Sequence, residues 1–359
     1  MSELTGIPSR YKSSEMGHQG GMGDVSFYFD AILEREVAFK TMLNISDMSR
    51  LRDEIDALLH LRSKYVIQVF DIFEGPNDNV AIIMERVQGQ ELTELSLHDT
   101  DTAKENYLKT LWQISAGLTD IHEQGIIHRD IKPQNMMLDS EGLLKILDFG
   151  LARQIDFNAQ TTGFRGTFGY AAPEQYTLDQ IEFTSAIDVY AFAVVAFFLI
   201  DKSLTKELLN RPPELMLENP FLSTWLSVYE DLSEILFKCF NHDPLERPKM
   251  NEIKMVLERL LLKDQHQATI VFGHDQIQKI NAESRNAGIR YKGVGSFKVN
   301  YSGYDFKIIE FEGSIYVNNI KVAEKRILPE SCVITIGDPE LGSRRGFVTF
   351  DVSNPEVTL

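Results

Sequence analysis

Residues 126–150 read IIHRDIKPQNMMLDSEGLLKILDFG. Two short apolar runs flank Asp139-Ser140-Glu141-Gly142, a set of turn formers. The stretch therefore predicts an antiparallel hairpin. Asn135 precedes the first strand and Asp148 follows the second, so pairing brings both to the open end. An amide oxygen beside a carboxylate suits Mg2+, a hard ion that prefers oxygen ligands. Asp130 lies five residues before Asn135 and can reach the same place, and Lys132 adds a cation. An acid, a cation and two metal ligands within nineteen residues make an inventory for phosphoryl transfer. Asp and Asn also serve ordinary turns, so the hairpin alone leaves both readings open.

The chain on the N-terminal side narrows the choice. GHQGGMGDV (17–25) is a glycine-rich turn between two extended runs. Glycines let backbone N–H groups approach a phosphate closely, although a plain flexible turn has the same composition. Fifteen residues after Val25 comes Lys40, ending the apolar strand EVAFK. Burying a lysine there is costly unless it is paired. In SRLRDEIDALLHL (49–61), Leu51, Ile55, Leu58 and Leu59 form a helical stripe with Glu54 at its edge. Lys40 is the candidate partner of Glu54; Arg50 on the same helix is the alternative.

The whole chain has 359 residues, enough for two domains. Its net charge of −17 argues against a general nucleic-acid binder, which needs a basic footprint. Cys239 and Cys332 have no metal-ligand spacing and read as free thiols of a reducing compartment. The first residues carry no signal-peptide core. The longest apolar run, VYAFAVVAFFLI (189–200), has twelve residues, too few to span a bilayer. The expectation is a cytoplasmic protein with neither nucleic acid nor membrane as partner. ENYLKTLWQISAGLTDIHEQG (105–125) repeats its apolar residues at helical spacing until Gly125, and most of 102–262 reads as helical. After Leu262 come SFKVNY, YDFKIIEF, SIYVNN, CVITIG and GFVTFDV, short β-rich runs broken by Gly, Asn and Asp, which predict a small all-β module.

Taken together, the glycine loop, VAFK, the helix glutamate, HRDIKPQN, DFG and AAPE occur in the order found in protein kinases. Residues 8–262 resemble the eukaryotic-like (Hanks-type) serine/threonine protein kinases of bacteria. The resemblance implies an α+β fold with two lobes, a β-rich N-lobe over about 8–87 and a helical C-lobe over about 88–262. The kinase domain would occupy 1–262, and a β-sandwich 263–359. It implies ATP and Mg2+ as cofactors and proteins as substrates. By the same resemblance, Gly17, Gly20, Gly21, Met22 and Gly23 would cover the phosphates, and Val25 and Ala38 would pack on adenine. Lys40 would hold the α/β-phosphates and pair with Glu54. Met84 would sit behind the nucleotide, with Glu85, Arg86 and Val87 in the hinge. Asp130 would orient the attacking hydroxyl and accept its proton, Lys132 would neutralise the transferring phosphoryl, and Asn135 and Asp148 would hold Mg2+. Thr161 and Thr162 would be phosphorylated on the activation segment, opposite Arg129. A second copy of the chain is the partner implied for phosphorylation in trans. Thr167 would touch Asp130, Glu174 would pair with Arg247, and Asp188 would hold the catalytic-loop backbone. One departure is His18, which falls where the first loop glycine belongs.

GSIYVNNIKVAEKRILPESCVITIG (313–337) resembles the second half of forkhead-associated domains, β-sandwiches that bind phosphothreonine peptides. The family's Gly-Arg would fall near Gly273-His274, and its Ser-x-x-His is absent. Phosphothreonine binding, with Arg285, Arg290, Arg344 and Arg345 as candidate cations, and simple docking or self-association both remain open. No catalytic position is substituted, so an active kinase leads. The alternatives are a nucleotide-dependent scaffold and a dual-specificity or tyrosine autokinase, the latter because Tyr170 and Tyr176 lie near the activation segment.

Overall fold

Short runs rich in β-branched and aromatic residues build the first sheet. The computed structural model describes residues 6–15, 19–20, 23–42, 55, 58–76, 80–94, 100–148, 166–176, 183–273 and 276–357. Strands β1 (Tyr11–Glu15), β3 (Gly23–Asp30), β4 (Arg35–Met42), β6 (Val80–Glu85) and β5 (Val69–Glu74) lie side by side in that order, with β2 (Gln19–Gly20) paired on β3. Val37 and Phe39 of β4 point into a cluster with Phe73, Ala81 and Ile83. The two-residue period of a strand turns Ala38 and Lys40 to the opposite face. There Ala38 lies between Phe27 and Met84, and Lys40 between Val25 and Ile82. Gly20 pairs with Gly23, closing the glycine-rich turn as a hairpin. The β3–β4 turn is organised by buried Asp30, which pairs with Arg10 and accepts the amides of Ile32 and Leu33. The hydrogen bond from Arg10 holds the Asp30 carboxyl down at about 2.

Strands β7 (Gly89–Glu91), β8 (Met136–Asp139) and β9 (Leu144–Ile146) form a three-stranded sheet in that order. Gly89 has to be glycine, because a Cβ there would lie 1.9 Å from the Leu138 carbonyl oxygen. Helix α1 (Asp101–Glu123) starts where the Thr100 side chain accepts the Ala103 amide, and it stops before Gly125 at φ +71°. Helix α2 (Ala186–Asp201) is apolar almost all round and buried along most of its length, as such helices are. Tyr107 of α1 donates to the Ala196 carbonyl of α2 at 2.9 Å. Short α3 (Lys206–Leu209), α4 (Glu230–Lys238) and α5 (Met250–Leu261) follow. The helical reading of 102–262 is too broad between α3 and α4, where Pro212, Pro213 and Pro220 leave only short 3-10 turns. Among the described residues no helix is long and apolar enough to cross a membrane.

The chain divides into two compact units, Met1–Leu257 and Glu258–Thr358. Beyond the last turn of α5 the second is built of β-strands and one 3-10 segment, as its short runs predict. One sheet orders β11 (Gln276–Ile280), β10 (Gln267–Phe272), β19 (Gly346–Ser353), β18 (Ser331–Ile336), β15 (Ile315–Val317) and β16 (Ile320–Lys321). The other orders β12 (Asn286–Tyr291), β13 (Gly295–Tyr301), β14 (Phe306–Glu312) and β17 (Arg326–Ile327). Alternate residues of both sheets, among them Ile270, Ile334 and Phe350 from one and Phe297, Val299 and Ile308 from the other, share one core, so the sheets pack as a sandwich. Asn318 and Asn319 sit at φ +50° and +65° in the β15–β16 hairpin, the backbone a two-residue type I′ turn demands. Asn318 also accepts the Val333 amide on its Oδ1 at 3.0 Å. The side-chain amide of Gln278 clips the edge strand β12: it donates to the Gly288 carbonyl and accepts the Gly288 N–H, both at 3.2 Å.

Candidate active site

The hairpin of β8 and β9 places its chemistry as its sequence spacing predicts. Asp139 Oδ1 accepts the amides of Glu141 and Leu143, both at 2.9 Å, and closes the turn. At the open end the Leu147 amide donates to the Asn135 carbonyl at 2.8 Å, so Asn135 and Asp148 are neighbours. Strand β9 is fixed from the other side by the segment before β5. The Ile146 amide donates to the Tyr65 carbonyl at 2.8 Å, and the Ile67 amide to the Ile146 carbonyl at 2.9 Å.

Asp130 is buried at the centre of this end. Its Oδ1 accepts the Thr167 hydroxyl at 2.6 Å. Its Oδ2 meets Lys132 Nζ at 2.8 Å and the Asn135 amide group at 3.0 Å. Lys132 also donates to Thr167 Oγ1 at 3.1 Å. Asn135 Nδ2 donates further to the Asp130 carbonyl at 2.8 Å, which turns its amide oxygen away from that carboxylate. Lys40, buried on the site-facing side of β4, donates to Asp148 Oδ1 at 2.7 Å. Asp148 has φ +54°, a left-handed conformation that Asp tolerates better than most residues. Asp130, Lys132, Asn135, Lys40 and Asp148 are thus gathered within one unit.

Of the expected nucleotide-facing residues, Ala38 and Met84 are buried opposite one another, while Val25 and Val87 are half-buried. Glu85 turns its side chain to Lys145 at 3.0 Å and to the Gln68 amide at 3.2 Å. Gly20 and Gly23 frame the tip of the β2–β3 hairpin. Gly17, Gly21, Met22, Glu54, Thr161 and Thr162 lie outside the described residues.

A scan against protein families matches the protein kinase domain over residues 11–256. The chain belongs to the protein kinase family. The kinase is 34% identical to a serine/threonine-protein kinase of Corynebacterium efficiens, drp72, over 52% of its own length. It is 34% identical to PknA, a serine/threonine-protein kinase of Corynebacterium glutamicum, over 55% of its length. It is 29% identical to the serine/threonine-protein kinase PrkC of Bacillus subtilis over 67% of its length. The matches cover 37%, 44% and 39% of those relatives, so the kinase spans less than half the length of each. Family membership implies ATP with a divalent cation.

The residues present fit such a group. Asn135 supplies an amide oxygen and Asp148 a carboxylate, a hard donor set. Among the described residues no cluster of three or more His, Cys, Asp or Glu could hold a metal. Phosphate oxygens and water would complete the shell of a hard divalent cation held there.

A second layer holds the kinase's catalytic loop. Asp188 at the start of α2 accepts the backbone amides of His128 and Arg129, both at 2.8 Å, and His122 Nε2 at 2.9 Å. Burial works to raise the Asp188 carboxyl, but the hydrogen bonds it accepts from His122 and from the His128 amide outweigh it and hold the carboxyl below its usual range. Arg129 itself stands at φ +71°. His128 donates from Nε2 to the Leu147 carbonyl at 2.8 Å and accepts the Asp130 amide on Nδ1 at 3.4 Å. Burial pushes its imidazole below the usual value, so it is neutral here. Arg247 grips Glu174 with two hydrogen bonds, at 2.7 and 2.8 Å, and also reaches the Asn241 and Ala186 carbonyls. The motifs of the sequence point to no role for His122, His128 or Lys145. His128 had a signal, because it opens the His-Arg-Asp triplet. His122 and Lys145 look like solvent-side polar residues of their helix and strand.

Proposed function

We propose that this chain is a serine/threonine protein kinase that transfers the γ-phosphoryl group of Mg-ATP to protein hydroxyls. The observation that carries the reading is the hydroxyl of Thr167, held between Asp130 and Lys132. A carboxylate and a cation that grip one hydroxyl can grip an incoming one. Bound Mg-ATP would supply the transferable phosphoryl and the counter-charge for its oxygens. Asn135 and Asp148 would hold the metal, and Lys40 and the glycine hairpin would hold the phosphates. Ala38, Val25 and Met84 would line the adenine side, with Glu85 and Val87 in the hinge. Asp130 would orient the acceptor hydroxyl and take its proton. Lys132 would offset charge on the transferring group.

The same reading includes autophosphorylation at Thr161 and Thr162 by a second copy of the chain, a cytoplasmic location, and a role of the β-sandwich, like that of forkhead-associated domains, in docking partners. A two-sheet sandwich with an Asn-bearing turn supports the last point. The deciding assay is radiolabel transfer from Mg-ATP to the chain itself and to a generic protein. Asp130→Asn should lower the rate about 10²–10⁴-fold, the usual contribution of a general base. Labelling that Asp130→Asn leaves unchanged, or none by the wild type over a wide range of Mg2+ and ATP, ends the reading. Phosphopeptide mapping of the labelled chain and titration with a phosphothreonine peptide test the two finer points.

A further inference from the structure

We propose that Arg211 selects acceptor segments that carry an anion, a carboxylate or a phosphate, close to the hydroxyl being phosphorylated. The inference rests on the kinase reading above. Thr167 touches Asp130 at 2.6 Å, so Phe168 begins one Cα step, about 3.8 Å, further along the chain. Phe168 is 47% exposed. Arg211 lays its guanidinium on that ring, with Cζ 3.6 Å from the ring centroid. Arg211 is itself exposed, and among the described residues no carboxylate pairs with it. Stacking on an aromatic face fixes the plane of a guanidinium while its N–H edge stays open to solvent. That planar fork matches the paired oxygens of a carboxylate or a phosphate.

The surroundings hold the pair in place. Gly169, at φ +85°, presses so closely on Leu204 that a Cβ there would lie 2.9 Å from Leu204 Cδ1. The loop carrying Phe168 is thereby pinned to the segment that leads through α3 to Arg211. Tyr176 flanks Phe168, with ring centroids 6.4 Å apart. An extended peptide advances about 3.3–3.6 Å per residue, so the fork lies within about three residues of the acceptor. The net charge of −17 disfavours acidic segments at long range, so recognising them rests on a local cation of this kind.

The test uses the full chain, Mg-ATP and serine peptides with Asp, phosphoserine, Ala or Lys at each position flanking the acceptor. At one or two positions an anion should raise kcat/KM about five-fold over alanine, mainly through the peptide KM. Arg211→Ala should flatten that preference, and Arg211→Glu should reverse it in favour of lysine, a gain that misfolding cannot produce. Equal gains from Asp and phosphoserine mark a carboxylate as sufficient; a gain from phosphoserine alone marks phosphate as the ligand. A flat wild-type panel, or a preference that survives Arg211→Glu, overturns the proposal. No transfer to any peptide or protein is a different result, which fails the kinase reading itself.

Discussion

Asp188 shows what one buried carboxylate does for a catalytic loop. It accepts two consecutive backbone amides and one imidazole, so it ties α1, the loop and α2 together. Asparagine has the same shape but would place an NH2 against one of those donors. Asp188→Asn should lower stability by about 3–5 kcal/mol, the range for breaking a buried charge pair, as read by urea denaturation of the full chain. A loss below about 1 kcal/mol would mean that water replaces the carboxylate. At this scale much of the candidate site was legible. Asp130, Lys132, Asn135 and Asp148 sit within one short hairpin segment, where spacing alone predicts their meeting. His122 was not legible, because its partner lies 66 residues away and a helix period shows only that it is polar. Arg211 was hidden for the same reason: no local pattern relates it to Phe168.

Among the elements, the β15–β16 hairpin separates backbone need from side-chain need. Both turn residues stand at positive φ, which glycine adopts without strain. Only Asn318 uses its side chain, to accept the Val333 amide. Asn319→Gly should therefore be neutral within about 0.5 kcal/mol, while Asn318→Gly should cost about 1 kcal/mol for the lost hydrogen bond. Thermal melts of the two variants give the comparison, and equal losses would break it. Strands β12, β13 and β19 were readable because they alternate inside and outside residues. The stretch between α3 and α4 was not, because its apolar residues follow no period and its prolines act one at a time.

At the scale of the whole molecule, each of the two units has its own core. Calorimetry of the full chain should resolve two transitions, and Asp188→Asn should shift only one of them. A single transition that moves as a whole would show that the units unfold together. The composition shift after Leu262 signals that the chain changes character, yet the units part after Leu257, within α5. A helix keeps its apolar period across such a division, so sequence pattern cannot locate it.

The clip that Gln278 places on Gly288 bears on how the protein behaves in a crowd. Strand β12 ends its sheet, and a bare outer strand offers foreign chains a ladder on which to polymerise. The Gln278 amide presents one donor and one acceptor, as a passing peptide would, and so fills the rung where such growth would begin. A side chain remote from any chemistry thus screens one outer rung of the sandwich from strand addition.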